Sequence, residues 1–281
     1  MISNMSSRAL PMAVVGLSLV FFWVLVAFAL AGGGNLTDPA EILTRGAQAT
    51  AHADSFHFSM SVEGSIIDAD SGDPVPLDGV SVQGDVDVAG EAAQVAFSLP
   101  MLFGMEGEVI VIGEDVYLLT AMAGDQWLHL PASPDEETEP LGDPPTDEEI
   151  ADKVNEFVTT DGVGVSLLAD QACGDDTCYH LQVSVSEEAL AAHQGEMPDM
   201  GAPEMGGVGE MLPNPQFSGP AVVDLLFDKN GLWLRSIVVA SEGEAGAASF
   251  TVDFIEYDTS FDISAPPADQ VIEADDFPFF Q

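Results

Sequence analysis

Positive charge is what this chain has least of. Its 281 residues include five Lys and Arg against 48 Asp and Glu, a formal net charge of −43. A field of that sign repels nucleic acid and anionic lipid head groups, and nucleic-acid binding is thereby excluded. The balance suits a salty habitat, where a Debye length of about 3 Å at 1 M screens self-repulsion, and equally an ordinary acidic exported domain. Cysteine is nearly absent: Cys173 and Cys178 stand alone. They are too few for a structural zinc site and spaced unlike a redox Cys-x-x-Cys. Outside the cytoplasm such a pair reads as a disulfide closing a tight turn between two strands. Also missing are a Gly-x-Ser-x-Gly elbow, a phosphate loop and a His-Glu-x-x-His motif. The histidines (His52, His57, His129, His180 and His193) are scattered, with no partner at the helical spacing of a metal site. His57, His129 and His180 alternate with apolar neighbours and are expected to face solvent. No catalytic residue, metal ligand or cofactor is assigned, and the chain reads as a non-enzyme.

The first thirty residues contain no acid and one base, Arg8. An almost unbroken apolar run, Met12 to Ala31, follows Arg8 and ends at Gly32-Gly33-Gly34. About twenty helical residues rise roughly 30 Å, the thickness of a bilayer's hydrocarbon core. A signal peptide's apolar core is usually about 7–15 residues, shorter than this run, although Ala29-Leu30-Ala31 offers a small-residue cleavage site. Residues 1–34 are therefore read as a signal anchor or a signal peptide cleaved near Ala31. Either way the charge rule keeps the N-terminus in the cytoplasm and exports the rest.

The exported part suffices for one large domain, residues 35–275. Pro39 follows Thr37 and Asp38, either of which caps a helix that carries Ile42, Leu43, Ala47 and Ala49 and fades near Asp54. Asn35-Leu36-Thr37 matches a glycosylation sequon but serves better as part of that helix start. Strands follow: Phe56, Phe58, Met60 and Val62 alternate with polar residues, as do Val80 to Val88 and Val95, Phe97 and Leu99. Shorter runs at 109–112, 116–120 and 127–130 are separated by turn residues. Asp68 to Asp73 starts like a calcium loop but lacks its glycine and glutamate positions, and reads as a solvated hairpin tip. Residues 131–145 form an acidic, Pro-rich connection. Thr146 and Glu149 then make a capping box before a helix whose apolar face is Ile150, Val154, Phe157 and Val158. Tyr179, Leu181, Val183 and Val185 alternate again, before a short helix from Ser186 and strands at 221–228, 232–240 and 249–257. Met197, Met200, Met205 and Met211 lie in a Gly/Pro-rich loop. That loop is open to three readings: a lid beside a cavity mouth, plain packing, or Cu(I) binding. Met101 to Met105 is a second apolar loop that would border the same opening.

Many antiparallel strands with two or three covering helices give an α+β class. The order of parts is distinctive: a helix, Ser55-Phe56-His57-Phe58, alternating strands, Asp115-Val116-Tyr117 and Trp127, then the capped helix. The chain closes on Phe254-Ile255-Glu256-Tyr257-Asp258 and Asp262-Ile263-Ser264-Ala265-Pro266-Pro267. This resembles the mycobacterial-type lipoproteins of the LppX/LprG family, within the LolA-like superfamily, over residues 38–272. The resemblance implies a strongly curved antiparallel sheet, a half-barrel with helices covering its concave face and a cavity that holds acyl chains. It implies a lipid or other acyl-bearing ligand, carried at the cell envelope. One departure stands out: no lipobox cysteine stands near Gly32, so any anchoring to the membrane falls to the N-terminal helix.

The candidate cavity-lining residues are Phe56, Phe58, Met60, Val95, Phe97, Leu99, Val109, Val111, Tyr117, Leu181, Val183 and Phe254. Period-two apolarity alone does not separate a hollow from a filled core. The alternative is an envelope sensor or interaction module with the same fold, a packed interior and a protein partner.

Overall fold

The computed structural model describes residues 36–67, 73–100, 104–121, 124–130, 145–174, 176–193, 220–243 and 246–273. The apolar run at 12–31, Asn35, residues 68–72, 101–103 and 131–144, and the methionine loop lie outside these. Among the described residues no helix is long and apolar enough to cross a membrane.

Alternation becomes strand throughout. A single sheet of fourteen strands contains β1 (Ser55–Ile67), β2 (Pro74–Pro76), β3 (Val80–Asp87), β4 (Ala92–Leu99), β5 (Met105–Ile112), β6 (Asp115–Thr120) and β7 (Trp127–Leu130). It continues with β8 (Val163–Leu167), β9 (Gln171–Cys173), β10 (Asp176–Val185), β11 (Ala221–Asp228), β12 (Leu234–Gly243), β13 (Gly246–Tyr257) and β14 (Val271–Glu273). The spatial order is β14-β7-β6-β5-β4-β3-β1-β13-β12-β11-β10-β8, with β2 on β1 and β9 on β10. Every pairing is antiparallel except β14 on β7. Among the described residues the sheet does not close: β8 and β14 are its two ends. An unclosed, almost wholly antiparallel sheet with few helices fits a half-barrel.

Two helices cover one face at the β8–β13 end. In α1 (Pro39–Ala51), Asp38 is the cap, its carboxylate accepting from the Ala40 N–H, and Pro39 opens the first turn. In α2 (Asp147–Thr159) the capping box forms as read: Glu149 accepts the Thr146 N–H at 2.8 Å while Thr146 Oγ1 accepts the Glu149 N–H. The apolar stripes Ile42, Leu43 and Ala47 on α1, and Ile150 and Val154 on α2, are buried in one cluster with Leu181, Leu225, Phe227, Leu234 and Ile237. Thr50 ties α1 to the sheet, its hydroxyl accepting the Leu234 N–H at 3.1 Å. A short α3 (Glu187–His193) follows β10.

Four strands have no range in the sequence reading. β8 is five residues with a glycine inside it, and β2, β9 and β14 have three residues each. The disulfide is present: Cys173 on β9 and Cys178 on β10 are bonded, with Cα atoms 5.9 Å apart.

Candidate functional site

Because side chains alternate across a strand and paired residues share a face, the register assigns every strand residue to one side of the sheet. Leu181 and Val183 on β10 pair with Leu225 and Val223 on β11. These pair in turn with Ile237 and Val239 on β12, which pair with Val252 and Phe250 on β13. The same face continues on β1, where Met60 opposes Val252 and Phe58 opposes Phe254, across a bulge that brings Phe56 opposite Tyr257. It crosses β3 at Val82 and Gly84 to reach Phe97 and Val95 on β4. From there it passes to Val109 and Val111 on β5. Leu99 follows Phe97 by two residues on β4 and opposes Met105.

Eleven of the twelve candidates thus lie on one face, the face that α1 and α2 cover at one end. Leu181 and Val183 are fully buried beneath those helices, and Phe56, Val95, Val109 and Val111 are buried as well. Phe58, Met60, Phe97, Leu99 and Phe254 are only half-buried. The aromatic rings meet: Phe56 contacts Phe254 edge-on at 5.8 Å and Phe58 at 6.1 Å. Gly107 and Gly84 leave room on this face. A Cβ on Gly107 would stand 2.4 Å from the Phe97 ring, so that ring lies directly over the β5 backbone.

Tyr117 is the correction. It pairs with Ile110 on β5 and His129 on β7, which puts it on the opposite side. Val116 and Leu118 are the residues of β6 on the apolar face, and Val116 is buried with Ala93, Val109 and Val111. β6 is apolar at four successive positions, Val116 to Leu119, because both sides are covered near this end. Ile110 and Trp127 on the outer face are buried too. Sequence parity is then ambiguous. Val82, Val223, Leu225, Val239, Phe250 and Val252 also belong to the apolar face, and their alternation within strands already read as such was the signal for them.

The outer face carries His57, His129 and His180, each set against carboxylate. His57 Nδ1 meets Asp85 at 2.6 Å, and His180 Nε2 meets Asp224 at 2.8 Å. His129 is held twice, by Asp115 and by Glu273 of β14, both at 3.0 Å, with its ring stacked on Tyr117. Burial alone would lower the pKa of His129, but its hydrogen bonds to the two carboxylates and their charges outweigh it, and the pKa is raised. A shallow cavity of about 150 Å³ lies on this face against Gln171, His180, Asp224, Leu226 and Val238. Among the described residues no three His, Cys, Asp or Glu side chains are grouped as a metal ion would need.

No family model matches the chain, and no curated protein matches it. Solved structures do. Lipoprotein LppX from Mycobacterium tuberculosis is 15% identical, with 81% of this chain and 100% of that one covered, at a TM-score of 0.46. LprF from Mycobacterium bovis is 13% identical over 81% of this chain and 96% of that one, at 0.49. A LolA superfamily protein from Nitrosomonas europaea is 11% identical over 80% and 95%, at 0.25. These are the LppX and LolA-like proteins that the sequence resembles.

Proposed function

We propose that this is an exported envelope protein that binds an acyl-bearing hydrophobic ligand on the helix-covered face of its sheet, without covalent chemistry. In this reading the covered face is the concave side of the half-barrel and encloses a hollow. The chain is either tethered by the apolar run at 12–31 or released by cleavage near Ala31. The observation that carries the proposal is the half-burial of Phe58, Met60, Phe97, Leu99 and Phe254, on an apolar face continuous with a fully buried core. Each methylene moved out of water is worth about 0.8 kcal/mol, so shielding a sixteen-carbon chain is worth on the order of 12 kcal/mol. A continuous apolar face with unspent aromatic and thioether surface is suited to supply that shielding.

Solvent extraction of the purified protein followed by mass spectrometry is expected to release lipid, and a fluorescent acyl ester should be taken up saturably. An extract free of lipid together with no saturable uptake would overturn the reading. The alternative, an interaction module with a filled core, would then stand.

A further inference from the structure

The apolar face has no unbalanced counter-charge to offer. At none of its paired strand positions does the register place an Asp, Glu, Lys, Arg or His. Its ionisable groups are two tyrosines, Tyr179 and Tyr257, and burial pushes the Tyr257 hydroxyl further up, so it stays neutral. The charged strand residues, Asp85, Glu108, Asp224 and Asp253 among them, are on the other side.

The bases beyond residue 34 are Arg45, Lys153, Lys229 and Arg235, and all four belong to described residues. Arg45 is paired with Glu41 one turn before it on α1, at 2.7 Å. Lys229 is held by Asp170 and sits over the Tyr179 ring. Arg235 lies against the buried carboxylate of Asp228 at 3.3 Å, with its guanidinium 5.8 Å from the centre of the Tyr257 ring. Lys153 is on the exposed side of α2, one turn after Glu149. The segments between residues 68 and 281 that lie outside the described residues contain acids and no Lys or Arg. Whatever borders the apolar face, no uncommitted cation is brought to it by those segments.

An anionic head group would therefore lose its water, find at the face only cations already held by carboxylates, and sit in the field of a chain with net charge −43. Resting on the carrier reading above, we infer that the ligand is an uncharged acyl-bearing amphiphile, with anionic head groups rejected. The hydrocarbon contributes the affinity and the charge balance contributes the selection.

Three fluorescent probes that share one acyl chain test this on the purified full chain: a methyl ester, a quaternary ammonium and a carboxylate kept ionised. At low salt the ester is expected to saturate, and the carboxylate to bind at least about tenfold more weakly, with added salt narrowing the gap as screening grows. Carboxylate binding as tight as the ester at low salt would overturn the inference and leave the carrier reading intact. Saturable binding of the ammonium alone would mark adsorption to the acidic surface and overturn it too. Failure of all three probes, with a lipid-free extract, would instead remove the carrier reading itself.

Discussion

Gly46 lets α1 lie directly on β11. A Cβ at this position would stand 2.3–2.9 Å from three ring atoms of Phe227, which is fully buried and has nowhere to retreat. Helix propensity favours alanine over glycine by about 1 kcal/mol, whereas overpacking a filled core costs about 1–3 kcal/mol. Gly46→Ala is therefore expected to destabilise the protein by roughly 1–2 kcal/mol in chemical denaturation, the reverse of the usual surface-helix result. His129 gives a second test. Its folded pKa is raised, so its bonds to Asp115 and Glu273 stabilise fully below the ordinary histidine value and fade as pH rises through the folded value. Melting curves of wild type and His129→Gln should differ at mildly acidic pH and converge at alkaline pH. At the same scale the Tyr117 misplacement has a physical cause: four apolar residues in a row erase the alternation that tells one face from the other.

Elements with long, clean periodicity were readable from sequence. The alternation of β1, β3 and β10, and the capping box of α2, matched their structures closely. β2, β8, β9 and β14 were not, because three to five residues give too little pattern, and the partner of β14 is moreover remote in sequence. The candidate site was readable to the extent that eleven residues share a face, since parity is local. Its half-burial was not readable, because which parts of the face α1 and α2 reach is a matter of tertiary packing. The disulfide also acts at this scale, stapling β9 to β10. It closes a small loop, and in the chain-entropy account reducing it is expected to cost only about 2 kcal/mol. Cys173→Ser should lower the unfolding free energy by that amount and leave the fold intact, as read by circular dichroism. A total loss of structure would show that β9 does more than cover an edge.

For the whole molecule the dominant quantity is charge. With 48 acids and five bases, the folded state confines like charges that the unfolded chain spreads out. Raising salt from about 0.1 M to about 1 M shortens the Debye length from about 10 Å to about 3 Å. The thermal midpoint is therefore expected to rise with salt, and to do so even with a salt that is neither a strong precipitant nor a denaturant. A flat response would mean that the carboxylates are far enough apart on the outer face to ignore one another.

The seam between β1 and β13 joins parts of the chain about 200 residues apart, and it lies near the middle of the sheet. Until β13 has emerged, near the end of the polypeptide, the β7–β1 half and the β12–β8 half have no strand to bridge them. Translational stalling or proteolytic nicking upstream of β13 thus leaves two incomplete ribbons, each with a raw margin able to recruit a neighbour. Any truncation series intended to map the protein should keep its ending beyond Tyr257.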